Sequence, residues 1–199
     1  MVEANSVYMD LSVFHREDRK YSALWSNGYR DANWQRLARK VLKKVSPNEH
    51  SLVDLGFGKG TAMDFFEQSG FTVAGVDISA YAVEQQERKD RKVYHSSLDH
   101  LEVFNTAEFN VGFCNDVIEH VPPELVVSSL EEMARVCSDL LFISVCPTPS
   151  HHLSKEGDNL HLTVQPISWW ENQFRRLGKV ERIPFWFSRS ARYAIDLRD

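Results

Sequence analysis

Apolar and polar positions fall into regular blocks along this chain. In YRDANWQRLARKVLKKV, Trp34, Leu37, Ala38, Val41 and Leu42 return at helical spacing while arginines and lysines fill the other face. This predicts an amphipathic helix ending near Ser46-Pro47. Beyond it, short apolar runs bounded by glycine, proline and polar clusters predict strands at 51–55, 71–76, 91–95, 109–114 and 140–146. The intervening segments predict helices at 61–69, 79–89, 123–137 and 167–177. Strands that alternate with helices build a parallel sheet, because a crossover is what lets consecutive strands run the same way. KVERIPFWF and ARYAIDL, on either side of SRS, read instead as a terminal antiparallel hairpin. The expected fold class is therefore α/β, a doubly wound, mostly parallel seven-stranded sheet closed by that hairpin.

Length and composition narrow the picture. The 199 residues, 43% of them apolar, suit one core, so residues 1–199 are expected to form a single domain. Within it, residues 1–46 read as a helical segment that acts as a lid and 50–199 as the ligand-binding catalytic core. A formal charge of −5 offers no general attraction to nucleic acid phosphates or anionic membranes. Cys114, Cys137 and Cys146 form no C-x-x-C pair and read as buried thiols of a reducing cytosol, which makes the expected location cytoplasmic. No basic start leads into an apolar run at the N-terminus, and no segment has the length of a membrane span. Tyr8, Phe14, Tyr21, Trp25 and Tyr29 make the first 30 residues too aromatic for a disordered tail. They are expected to fold over a ligand cleft, or else to form a dimer contact, leaving monomer and homodimer both open. CPTPSHHLSKEGDNLHLTVQP is a polar loop of about 20 residues, a length typical of lids and binding loops.

The most informative stretch is SLVDLGFGKGTAMDFFEQSG, where a strand meets a glycine turn and then a helix. Gly56, Gly58 and Gly60 give G-x-G-x-G, with Thr61 where a dinucleotide fingerprint has its third glycine. Asp54, at the carboxyl end of the strand, would repel a pyrophosphate but suit an ammonium group. S-adenosylmethionine carries an ammonium, a sulfonium and one carboxylate, so its methionyl end complements an acid beside a glycine turn and a helix N-terminus. Thr61 and Asp64 resemble a capping box. Asp77 follows Asp54 by 23 positions, at the end of the next strand, where a carboxylate accepts both ribose hydroxyls. Ile78 beside it would pack on adenine. The plainer alternative for Asp77 is to cap the helix that begins near Ser79.

Through VDLGFGKG, VAGVDIS, FNVGFCNDVIEHVPPE, LLFISVCP and the terminal hairpin, residues of about 50 to 197 resemble the class I S-adenosylmethionine-dependent methyltransferases, especially the small type 11 enzymes. The resemblance implies a Rossmann-like core with S-adenosyl-L-methionine as cofactor. Asp54, Gly56, Phe57, Gly58 and Gly60 would surround the methionyl part, and Asp77 would hold the ribose. Ser97 and Leu98 stand where the family meets adenine, its usual carboxylate there being missing or displaced to Asp99. Asn115 and Asp116 would line the cofactor and acceptor cavity, followed by the pair Glu119-His120.

Methyl transfer from sulfonium needs alignment above all, and it needs a base only where the acceptor loses a proton. His120, His151, His152 and His161 are the base candidates. His161 and His120 are the expected catalytic residues, against the plainer readings of a loop histidine bonded to backbone and an anchor for the turn before Pro122-Pro123. His151, His152, Glu156, Asp158 and His161 match no closed metal site in spacing, and no metal is expected. Trp169, Trp170 and Phe174 read as core, with an acceptor wall as alternative. Arg88, Lys89, Arg91 and Lys92 read as a solvated run rather than an RNA patch. The expected activity is methyl transfer to a small-molecule or glycan-like acceptor at oxygen. A non-catalytic cofactor-binding module and a nicotinamide-dependent oxidoreductase are the rivals.

Overall fold

The computed structural model describes residues 9–29, 33–155, 157–184 and 188–198. Tyr8, Glu156 and the Phe185, Trp186, Phe187 end of the first hairpin arm lie outside the described residues. The elements run α1 (Leu11–Ser26), α2 (Gln35–Lys44), β1 (Ser51–Leu55), α3 (Thr61–Gln68), β2 (Thr72–Asp77), α4 (Ala80–Glu87) and β3 (Val93–His95). They continue with β4 (Phe109–Asn115), α5 (Val126–Arg135), β5 (Cys137–Val145), α6 (Ile167–Phe174), β6 (Lys179–Ile183) and β7 (Ala191–Asp196). One seven-stranded sheet has the order β3-β2-β1-β4-β5-β7-β6. The first five strands pair in parallel, whereas β7 runs antiparallel to both β5 and β6.

Side-chain alternation divides the core between the two faces of this sheet. Val53, Leu55, Cys114, Leu141 and Ile143 join Leu130 and Met133 of α5 and Trp170 and Phe174 of α6. Their neighbours Leu52, Phe113 and Phe142 point the other way, towards Leu37, Ala38 and Val41 of α2 and Phe66 of α3. The central strands are buried on both faces and so read as nearly unbroken apolar runs. The edges follow a different rule. β3 is three residues long, and β6 exposes Lys179, Glu181 and Arg182, both of which discourage pairing with another chain. Trp169, Trp170 and Phe174 pack in the core, and none of them reaches the cavity described below.

One local expectation needs correction, and one alternative reading falls away. Thr61 and Asp64 form no capping box: the N-cap of α3 is Gly60, at φ 70°, a left-handed conformation that costs glycine little. Asp64 turns instead to Arg91 in an ion pair. Asp77 does not cap α4, because Ser79 does so by accepting the Ala82 N–H at 3.1 Å. The basic run is neutralised locally, with Arg88 on Glu84, Arg91 on Asp64 and Glu67, and Lys92 on Glu108. Among the described residues, no helix is long and apolar enough to cross a membrane.

Candidate active site

The sheet order reverses between β1 and β4, and this is where doubly wound folds open a crevice beyond the carboxyl ends of their strands. A cavity of about 780 Å³ lies there. Of the residues expected around a cofactor, Asp54, Gly56, Phe57, Gly58, Asp77, Ile78, Ser97, Leu98, Asn115 and Asp116 line it. Gly60 does not, being engaged as the cap of α3 beside Gln86. His120 and His161, expected to be catalytic, line the same cavity.

The geometry at Asp77 ties two turns together. Its carboxylate accepts the Gly58 N–H at 2.8 Å through Oδ2 and the Ser79 N–H at 2.8 Å through Oδ1. Burial raises its pKa to about 6, against the opposing pull of these two hydrogen bonds. Gly58 itself sits at φ 54°, and a Cβ there would lie 2.6 Å from the Trp25 ring of α1. The glycine turn is thus roofed by an aromatic ring as well as shaped by its own backbone.

That roof belongs to the N-terminal segment. Asp10 starts α1 by accepting the Ser12 N–H at 2.8 Å, the sequence signal for a helix that the aromatic count alone did not give. The helix then docks on the start of α4. The Ala80 N–H donates to Asp18 Oδ1 at 2.9 Å and the Tyr81 N–H to Ser22 Oγ at 3.2 Å. Just before α1, the Met9 N–H donates to Asp99 Oδ2 at 2.6 Å. Met9, Glu17, Tyr21, Leu24, Trp25 and Tyr29 consequently line the cavity. Asp99, fully buried, keeps its Oδ1 without a hydrogen-bond partner among the described residues.

Beyond β4 the lining changes character. Asp116 adopts φ 54°, unusual for a residue with a side chain, and its Oδ1 accepts a hydrogen bond from Ser144 Oγ at 2.8 Å. Glu119 and His120 follow in a short 3-10 turn, Ile118–His120. Glu119 is fully buried; its Oε1 accepts the Cys146 N–H at 2.9 Å, while Oε2 has no hydrogen-bond partner among the described residues. Burial, reinforced by Asp116, holds its pKa well above the usual carboxylate range. His120 Nδ1 lies 2.9 Å from the Leu160 carbonyl and 2.8 Å from the Tyr21 hydroxyl. A carbonyl only accepts, so the ring proton sits on Nδ1. Burial and the neighbouring His161 push the His120 pKa down to about 3. The His161 ring stands perpendicular to it at 4.8 Å, its own Nδ1 2.6 Å from the Thr148 carbonyl.

The polar loop predicted at 146–166 brings His161 to this place through specific bonds. Asn159 Oδ1 accepts the N–H groups of Ser150 and His161, and Asn159 Nδ2 donates to the Ser150 carbonyl. The Thr163 N–H donates to the Glu119 carbonyl at 2.9 Å, which fastens the loop to the 3-10 turn. Asp54 of β1, Asp77 of β2 and Asp99 after β3 thus share one cavity with Asp116, Glu119 and His120 after β4, with His151, His152 and His161 after β5, and with Arg189 before β7. Glu119 was legible in the sequence only as half of an EH pair. No local signal announced its depth, which depends on the loop across from it.

Residues 53–139 match the family model described as a methyltransferase domain. No curated protein matches the chain. Among solved structures, a Burkholderia thailandensis 1,6-didemethyltoxoflavin-N1-methyltransferase, with 1,6-didemethyltoxoflavin and S-adenosylhomocysteine bound, is 14% identical with a TM-score of 0.70. The alignment covers 100% of this chain and 98% of that one. The magnesium protoporphyrin IX methyltransferase of Synechocystis, with its S-adenosylmethionine bound, is 16% identical with a TM-score of 0.59, over 96% of this chain and 86% of that one. A sarcosine dimethylglycine methyltransferase assigned in Galdieria sulphuraria is 17% identical with a TM-score of 0.57, over 75% and 60% of the two chains. The shared architecture is the Rossmann-like fold of class I methyltransferases.

Proposed function

We propose that this chain, whose residues 53–139 are an S-adenosylmethionine-dependent class I methyltransferase domain, methylates an oxygen atom of a small-molecule or glycan-like acceptor. The observation that carries the reading is one cavity lined by the glycine turn, by the strand-end acids Asp54, Asp77 and Asp99, and by two imidazoles, His120 and His161. The acid set suits a cationic donor better than a pyrophosphate. Asp54 would meet the ammonium group and Asp77 the ribose hydroxyls, with Ile78, Ser97 and Leu98 around adenine. The unpartnered Oδ1 of buried Asp99 is a ready acceptor for an amino group there. Gly56, Phe57 and Gly58 would bracket the methionyl end, and Asn115 and Asp116 would separate donor from acceptor. When bound, S-adenosylmethionine supplies a methyl group whose carbon bonds to the acceptor oxygen as the carbon–sulfur pair returns to sulfur.

His120 and His161 serve the acceptor side. Their Nδ1 atoms are engaged by carbonyls, which leaves Nε2 of His161 to take the acceptor's proton and Nε2 of His120, whose pKa is pushed down to about 3, to accept a hydrogen bond while staying neutral. An alcohol has a proton to lose, so a polar pair at this position supports oxygen over a thiolate or neutral amine, which need no such help. The cavity volume suits a compact acceptor. The test is transfer of labelled methyl from S-adenosylmethionine to panels of hydroxylated small molecules, sugars, amines and thiols. Labelling confined to amines or thiols would overturn the oxygen assignment. With a working acceptor, His161→Ala is expected to lower single-turnover rates by about 10²–10⁴ while cofactor affinity measured by calorimetry stays within about twofold.

A further inference from the structure

We propose that Glu119, His120 and His161 hold a divalent metal ion at the acceptor end of the cavity. The three residues bring one donor atom each within 4.8 Å of one another. They come from two separate segments, the 3-10 turn after β4 and the loop before α6, and the Thr163 bond to the Glu119 carbonyl locks these segments together.

Three features make this a prepared site. First, Glu119 lines the cavity, and its fully buried Oε2 has no hydrogen-bond partner among the described residues, an arrangement that costs free energy unless something occupies it. Second, each imidazole is oriented by a carbonyl on Nδ1, Leu160 for His120 and Thr148 for His161. Metal-binding histidines are held in this way, because the bond to the far nitrogen fixes the tautomer and aims the Nε2 lone pair. Third, the set is one carboxylate and two imidazoles, with Asp116 lining the same cavity to add negative charge. Bond lengths of about 2.1 Å place donor atoms roughly 3–3.5 Å apart, so binding would draw the three side chains together by about an ångström.

Three protein donors leave coordination positions open towards the cavity, as in catalytic rather than structural metal sites. Resting on the oxygen-acceptor reading above, the ion would take the acceptor hydroxyl into an open position and lower its proton affinity, the proton leaving to water. The histidines then act on the acceptor through the ion. Their neutral Nε2 atoms, borderline in softness together with one hard oxygen, favour Mn²⁺, Co²⁺ or Zn²⁺ over Ca²⁺.

The test is calorimetric titration of the full chain, stripped with a chelator, against Mn²⁺ and Zn²⁺, with visible absorption of the Co²⁺ form as a second readout. One ion per chain is expected for the wild type. Glu119→Gln and His161→Ala are expected to weaken binding by roughly tenfold or more, whereas His151→Ala with His152→Ala is expected to leave it unchanged. Binding of S-adenosylhomocysteine to each preparation reports its folding and separately tests the methyltransferase reading. Absence of a stoichiometric ion in a wild-type protein that binds S-adenosylhomocysteine would overturn the metal site while leaving the methyltransferase standing. Unaltered ion affinity in Glu119→Gln and His161→Ala, or loss of binding on removing His151 and His152, would overturn it as well.

Discussion

Asp77 shows how one side chain ties two turns together, and in the function proposed above it also meets the ligand. Its carboxylate is buried, pinned by the Gly58 and Ser79 amides, and holds its proton up to a pH of about 6 instead of the ordinary 3.8. Ribose hydroxyls would donate to the ionised form, so the bound state favours loss of that proton. Cofactor affinity should therefore rise as the pH climbs through about 6, and Asp77→Asn should flatten this dependence and weaken binding at pH 7.5 by about 1–3 kcal/mol in calorimetry. Stability without ligand should move the other way. The folded state holds this proton more tightly than the unfolded one, so Asp77's own contribution is fully present below the unfolded value near 3.8 and fades as the pH passes about 6. Denaturant titrations of the wild type and Asp77→Asn between pH 4 and 7.5 should diverge across that window.

At the scale of elements, the loop before α6 is decisive because its conformation depends on a few polar side chains and carries His161. Asn159 makes three of those bonds, to Ser150 twice and to the His161 amide. Asn159→Ala should therefore cost about 1–3 kcal/mol in local order. Methyl transfer should fall while S-adenosylhomocysteine affinity is kept, because Asp54 and Asp77 stand on other elements. Equal loss of both activities would mean that the loop supports the whole fold. The contrast explains what was legible in the sequence. β1, α3, β2 and β4 could be read within a residue or two because their apolar runs obey local periodicities. The strand-end positions of Asp54 and Asp77 followed directly from those runs. The approach of Glu119, His120 and His161 did not, since it rests on the Thr163 and Leu160 links between segments about 40 residues apart. The capping box at Thr61 failed for a related reason, the left-handed cap of Gly60 being a property of the whole turn.

For the molecule as a whole, the N-terminal segment closes the cavity from above. α1 is held by Asp18 and Ser22 on the start of α4, by Met9 on Asp99 and by the Trp25 ring over Gly58. Apart from the Trp25 ring, each of these attachments is a single hydrogen bond, one exposed and two partly buried, and such sparse anchoring is typical of segments that open below the global unfolding free energy. Amides of Leu11–Ser26 should exchange faster than those of β1 and β4 in the free protein, and should slow by about tenfold or more on saturation with S-adenosylhomocysteine, as read by mass spectrometry. Unchanged exchange would mean that the segment takes no part in enclosing the ligand. The row of carboxylates at the ends of β1, β2 and β3 has a further effect, on turnover. Methyl transfer converts a sulfonium into an uncharged sulfide, so with the donor bound as proposed above its attraction to Asp54 and its neighbours would weaken at the moment the reaction is complete, by something on the order of 1 kcal/mol. On that proposal the same acids would favour loading of the fresh donor and departure of the spent one, and product inhibition should ease as ionic strength falls and this discrimination grows.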